Sequence, residues 1–321
     1  MNPISWQPTA SIKTLRLRAA ILSNIRTFFA ERAVLEVETP TLSVAGTLDI
    51  GLESLRTQVV GLGPEALYLH TSPEHAMKRL LAAGSGDIFQ LCKVFRDEEL
   101  GHWHQPEFTI LEWYRVGWDE KELMDEVELL LETLLENHYS PGPSNRLSYR
   151  EAYLKHLGID PFKSTTDLAK KLAQRGIPVP TGVGWDGLLD LALSSIIAPA
   201  LEPQALTFIC DFPAAQAQLA RIKSESQQQV AARFEVFFQG LEIGSGFSEL
   251  TDPREQRARF EVALKQRNRQ ARPTPPMDEK FLAALENGLP VCAGVAIGVD
   301  RIIALAGRLS NVAQTMSFAH S

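Results

Sequence analysis

Between Ser11 and Arg32 apolar residues recur at helical spacing, with Leu15, Leu22, Ile25, Phe28 and Phe29 on one side, and Val34 to Pro40 then reads as a short strand. Asp87 to Phe95 and Glu107 to Arg115 are predicted strands, joined by a loop holding Gly101, His102, Trp103 and Pro106. Alternation along the second strand puts Phe108, Ile110, Glu112 and Tyr114 on one face and Thr109, Leu111, Trp113 and Arg115 on the other. Arg96 and Glu98 are expected to share a face of the first. A sheet face bearing an arginine, acids and aromatics suits the lining of a polar pocket better than a core.

Asp119 to Asn137 is a predicted helix. Asp119 with Glu122 has the form of a capping box, Leu123, Val127, Leu130 and Leu134 form the buried stripe, and the acids read as a solvated face. Pro141 to about Gln204 is rich in proline and glycine, with short helical patterns such as Asp186 to Ile197, and reads as a helical insertion. Strand character resumes at Leu206 to Cys210 and Phe234 to Ile243, followed by Ser245 to Leu250. Glu242 and Glu249 are seven residues apart, so an unbroken strand aims them at opposite faces. A bulge at Gly244 or Gly246 brings both carboxylates to one side. Asp252 to Gln270 reads as a charged amphipathic helix with a structural role.

The chain of 321 residues, 45% hydrophobic and 22% charged, is long enough to bury a large core. A net charge of -7 argues against a broadly cationic surface that binds nucleic acid through its phosphates. Cys92, Cys210 and Cys292 are far apart and form no C-x-x-C pair, which points to buried thiols rather than a disulfide framework or a zinc site. Met1 to Lys13 lacks the pattern of a secretory leader, and no run approaches the length of a membrane span, so the cytoplasm is the expected address.

Two distant stretches carry most of the chemistry. One is Phe95-Arg96-Asp97-Glu98-Glu99 followed by His104-Gln105-Pro106-Glu107-Phe108; the other is Gly294-Val295-Ala296-Ile297-Gly298-Val299-Asp300-Arg301. Activating a carboxylate with ATP needs positive charge on the alpha phosphate, a divalent cation on the phosphates and a platform for adenine. Arg96 suits the first role through its planar fork. Glu242 and Glu249 suit the second, because magnesium takes carboxylate oxygens. Phe108 and Arg301 suit the third, with Arg301 also near the terminal phosphate, and Gly298 lets the backbone approach the nucleotide. His102 and His104 lack a third ligand at metal-binding spacing, and His104 is better placed to donate to a phosphate. Singly, each element has an ordinary structural explanation; their joint occurrence in this order carries the reading.

These stretches resemble motifs 2 and 3 of the class II aminoacyl-tRNA synthetases, most closely the lysine-specific branch, and the helix, strand and Pro40 near the start resemble motif 1. The resemblance spans almost the whole chain. It implies an α+β fold, an antiparallel sheet flanked by helices, in a single catalytic domain over residues 1–321 with a helical insertion at about 141–204. It implies a homodimer through Thr14 to Pro40. It places ATP at Arg96, Asp97, Glu98, His104, Gln105, Phe108, Glu242, Ile243, Gly298 and Arg301, with Arg96 and Arg301 catalytic and Mg2+ on Glu242 and Glu249. It places the amino acid at Ser72, Pro73, Glu74, Glu112, Tyr114, Phe247, Glu249 and Ala296. Several carboxylates and a tyrosine fit a substrate with two amino groups, whose charges are otherwise buried unpaired.

The motif 1-like helix begins at about Ser11, leaving no room for the anticodon-reading OB domain of a bacterial lysyl-tRNA synthetase. The chain therefore resembles the stand-alone paralogues of that enzyme that ligate beta-lysine to a lysine side chain of elongation factor P. Ala296 agrees, since the lysyl synthetases typically carry glycine there and the protein-modifying enzymes alanine. Ser245 and Gln105 depart from the pattern, each standing where asparagine is usual. The resemblance implies an ATP-dependent ligase without tRNA or membrane. A truncated synthetase that charges tRNA and a non-catalytic regulatory paralogue are the alternatives; retention of Arg96, Glu98, Glu242, Glu249 and Arg301 counts against the second.

Overall fold

The structure, a computed structural model, describes residues 6–63, 65–139, 142–225 and 227–320. The first five residues of the leader reading, and Pro141 at the start of the expected insertion, lie outside them.

Ser11 caps the first helix, α1 (Ile12–Ala30), by accepting from the Thr14 amide, as an N-cap serine does. Short strands follow at β1 (Leu35–Glu36), β2 (Leu42–Ser43), β3 (Arg56–Thr57) and β4 (Leu67–Leu69), and then α2 (Glu74–Ala82). The long hairpin β5 (Ile88–Phe95) and β6 (Glu107–Val116) leads into α3 (Glu120–Leu135), whose expected capping box between Asp119 and Glu122 is present. The edge strand β7 (Gly142–Ser148) precedes α4 (Tyr149–Leu157), α5 (Asp167–Gln174) and α6 (Trp185–Ala192). The chain continues through β8 (Ala205–Pro213), β9 (Ile222–Glu225), β10 (Gln228–Phe238), β11 (Leu241–Ser248), α7 (Pro253–Arg269), α8 (Glu279–Gly288), β12 (Cys292–Gly298) and α9 (Val299–Gly307).

The main sheet runs β1-β5-β6-β12-β11-β10-β8-β7, with β9 alongside β10; β1 with β5 and β7 with β8 are parallel, and the other pairs antiparallel. β2, β4 and β3 form a small separate sheet. The architecture is α+β, as expected.

One face of the main sheet is covered by α1, α3 and α9. There Phe29, Trp113, Leu130, Phe234, Val295 and Ile302 belong to one buried cluster. The other face carries two separate clusters. α4 to α6 build one around Tyr149, Tyr153, Leu189 and Phe212, and α2, α7 and α8 build the other around Met77, Phe281 and Leu285. Between these groups the central strands β6, β12, β11 and β10 present polar residues instead of closing on a helix.

Four expectations need correction. Phe234 to Ile243 is not one strand: Gln239 and Gly240 both take positive φ, 53° and 76°, and reverse the chain between β10 and β11, as a type I′ hairpin turn requires. β5 ends at Phe95, so Arg96 and Glu98 do not share a strand face; Glu98 has φ 64° in the loop beyond it. The acids of α3 are not all solvated. Glu126 is buried against Arg115 and Trp113, and Glu120 against Lys223 and Ser248. The insertion is helical only after β7, which belongs to the main sheet. The three cysteines are free thiols.

Candidate active site

The polar strip on the open sheet face is set by register. On β12, Gly294 lies opposite Tyr114 of β6 and Phe247 of β11, and Ala296 lies opposite Glu112 and Ser245. Alternation thus gives one face to Glu112, Tyr114, Gly294, Ala296, Ser245 and Phe247, leaving Val295 and Ile297 to the core. The face predicted for β6 is the one observed.

At one end of the strip four ionisable groups are buried together. Glu112 accepts from the Ser72 hydroxyl at 2.7 Å and the Tyr114 hydroxyl at 2.6 Å. Ser72 also accepts from the Glu74 amide at 3.0 Å, which orients the first turn of α2 beyond Pro73. Lys78, one turn along α2, donates to Glu74 at 2.6 Å and forms an ion pair with Glu249, and its ammonium lies 5.3 Å from the Phe247 ring centroid. Burial, then repulsion from Glu74, pushes the Glu112 carboxyl up to about 7. Burial pushes Glu249 up to about 8 even though the Lys78 ammonium opposes it. Gly294 is required here: a Cβ would lie 2.3 Å from the Tyr114 ring and 2.6 Å from Glu249 Oε1.

The other end is cationic. Arg96 donates to the Thr71 carbonyl at 3.4 Å, pairs with Glu99 at 3.6 Å and lies 5.0 Å from the Phe108 ring centroid. Arg301 lies beside Gly298, where an added Cβ would meet the arginine side chain at 3.5 Å, an ordinary contact. It donates to the Glu242 carbonyl at 2.7 Å and meets His104 Nε2 at 2.9 Å. Burial, then the Arg301 charge, lowers the His104 pKa, which leaves a neutral ring. Behind them the Thr109 amide donates to Asp300 at 2.6 Å, and Arg18 of α1 bonds both Asp300 and Thr109. This tie fixes Phe108 and Arg301, one residue along on each segment. Among the expected nucleotide contacts, Asp97 accepts from the Glu98 amide, Glu98 pairs with Arg272, and the buried Gln105 side chain accepts from the His320 amide at 3.1 Å.

The bulge expected near Gly244 is present. Val236 lies opposite Gly244 and Phe237 opposite Glu242, so Ile243 is the extra residue, and its side chain enters the core. Glu242 thereby turns to the face of Ser245 and Phe247. Its acidic neighbour is Glu235, which lies opposite Ser245 and which the sequence reading missed. Burial, then the Glu242 charge, pushes Glu235 up to about 8, with Arg233 opposing at 2.6 Å. Arg233 also reaches the Ser245 hydroxyl at 3.4 Å. Two mutually repelling carboxylates, one of them buried, fit a magnesium ion, which takes oxygen ligands from one or two carboxylates. Glu249, expected to join Glu242 as a ligand, is instead committed to Lys78 at the amino-acid end. The seven-residue spacing that singled out Glu242 and Glu249 also separates Glu235 from Glu242, so the signal was present.

Comparison with known proteins identifies the family of the whole chain. A family described as tRNA synthetases class II (D, K and N) matches residues 4–321. A protein of Proteus mirabilis (strain HI4320) named elongation factor P (R)-beta-lysine ligase is 48% identical over 98% of this chain and 97% of its own length. A protein of the same name from Salmonella typhi is 47% identical over the same shares.

Proposed function

Because the chain belongs to the class II tRNA synthetases of the D, K and N group, we propose that its open sheet face adenylates (R)-beta-lysine and passes it to a lysine side chain of elongation factor P. The chain is an enzyme, an amide-forming ligase. The observation that carries the reading is the division of one strip of sheet into a buried acidic end and an arginine end, matching a substrate with two ammonium groups and a triphosphate. ATP and Mg2+ are the cofactors of this reading, and a homodimer through Thr14 to Pro40 its assembly.

In the first step a carboxylate oxygen of beta-lysine attacks the alpha phosphorus of ATP, pyrophosphate leaves, and an acyl-adenylate forms. Glu74, Glu112 and Glu249 hold the ammonium groups, with Ser72 and Tyr114 fixing Glu112. Arg96 spans the reacting carboxylate and alpha phosphate. Arg301 and Phe108 hold the nucleotide, and His104 contacts its phosphates. When bound, a magnesium ion neutralises phosphate charge, and Glu242 with Glu235 would hold it. In the second step the acceptor amine, once deprotonated, attacks the acyl carbon, AMP leaves and the amide forms.

Adenylation needs no acceptor, since these residues lie in one chain. Pyrophosphate exchange dependent on beta-lysine and magnesium is expected with no tRNA present, and weighing acceptors by mass spectrometry should find the added mass on elongation factor P. Exchange that appears only when tRNA is added would favour the synthetase alternative.

The carboxyl groups also set a pH dependence. Ammonium groups bind the ionised carboxylates, so binding expels any proton resident on Glu249 or Glu112. Affinity therefore rises with pH up to the free-enzyme pKa values of about 7 and about 8 and then levels. KM for beta-lysine is expected to fall by at least about tenfold between about pH 6 and about pH 8, with KM for ATP not following it. A KM for beta-lysine that is flat or rising over that range contradicts the assignment.

A further inference from the structure

Lys78 has no part in the reaction described above, yet it is among the most deeply buried side chains, with 1% of its surface exposed. A lysine is rarely buried unless paired, and here the pairing is with two carboxylates placed in the amino-acid pocket. Burial alone pulls its pKa down, but Glu249 and Glu74 outweigh that and raise it, so the group is an ammonium at any working pH. The rings of Phe247 and Phe281, 5.3 Å and 5.8 Å from the ammonium, exclude water around it. Glu112, Glu74 and Glu249 with Lys78 give the pocket a net charge of -2 when all are ionised. A diamino acid brings two ammonium groups.

We propose that Lys78 is a specificity-determining positioning residue. It is a resident counter-cation that favours the carboxylate form of Glu249 and holds Glu249 and Glu74 aimed into the pocket, so that the pocket is balanced only by a ligand with two ammonium groups. Without it the buried carboxyls of Glu112 and Glu249 and the partly buried Glu74 face one another. Glu249 then holds a proton more tightly than it does beside Lys78, and a protonated carboxyl no longer attracts an ammonium. The inference rests on the amino-acid pocket assigned above.

The test compares wild type with Lys78→Met, which keeps the apolar stem against Phe247 and Phe281. The substrates are beta-lysine and its two singly charged analogues, one lacking the terminal amine and one lacking the beta amine. In wild type, pyrophosphate exchange is expected to favour beta-lysine over both analogues. Absence of any exchange with beta-lysine sinks the pocket assignment itself. In Lys78→Met, KM for beta-lysine should rise at least about tenfold with kcat and KM for ATP little changed, while at least one analogue is hardly affected, so that discrimination falls. Equal losses on all three substrates, or a loss confined to kcat, would show a merely structural lysine and overturn the proposal. Should Lys78→Met fail to fold, Lys78→Ala with and without propylammonium chloride makes the same comparison. Recovery of discrimination on adding the amine is expected, and recovery of melting temperature alone counts against it.

Discussion

Arg301→Ala and Arg96→Ala are each expected to lower amino-acid-dependent pyrophosphate exchange by about 100-fold or more, the typical loss when one preorganised donor to a developing charge is removed. Arg301 is held in place by its own surroundings: its guanidinium spans the Glu242 carbonyl and the neutral His104 ring. Arg96 is held more loosely, by one long bond to Thr71 and an ion pair to Glu99, and turns to a ligand at little cost. Neither packs in a core, so both variants should melt close to wild type. Loss of exchange with melting preserved is the expected pair of results. A variant that melts normally and exchanges at a near-normal rate removes that arginine from the reaction.

How far the site could be read in advance depends on the range of the interactions that place each residue. The face of β6 was legible because strict alternation governs it, and the α3 cap because it spans three residues. The bulge was legible as a need: two acids seven apart cannot share a face of a regular strand, and the chain takes its extra residue at Ile243, next to Gly244. Glu235 was missed because the tight Gln239-Gly240 turn went unrecognised, so that β10 and β11 read as one strand. Once the hairpin is formed, Glu235 lies opposite Ser245, beside Arg233. Lys78 was invisible for another reason. Its helix looks amphipathic and ordinary in sequence, and only its packing against Glu249, 171 positions away by the numbering, turns a helical lysine into a pocket residue.

Chemical choice between alpha- and beta-lysine is expected to lie in Ala296. Its strand position, opposite Glu112 on one side and Ser245 on the other, sets its methyl group on the pocket face between the acidic and the nucleotide ends. Two residues earlier on the same face, Gly294 admits no side chain at all, so the packing of this strand tolerates a methyl at one position and none at the other. If the methyl fills the space an alpha amine would occupy, alpha-lysine is disfavoured, while beta-lysine, with its amine one carbon further along, is spared. Ala296→Gly should then improve kcat/KM for alpha-lysine relative to beta-lysine by about 10- to 200-fold, the range for one methyl group in a pocket. KM for ATP should hold, because Gly298 and Arg301 are untouched, and a strand glycine should cost only about 1 kcal/mol of stability. The measurement is the ratio of the two kcat/KM values by pyrophosphate exchange in wild type and variant. An unchanged ratio places discrimination elsewhere. Ser245 is then the next position, since its hydroxyl faces Arg233 across the same strip, where the related synthetases usually carry an amide.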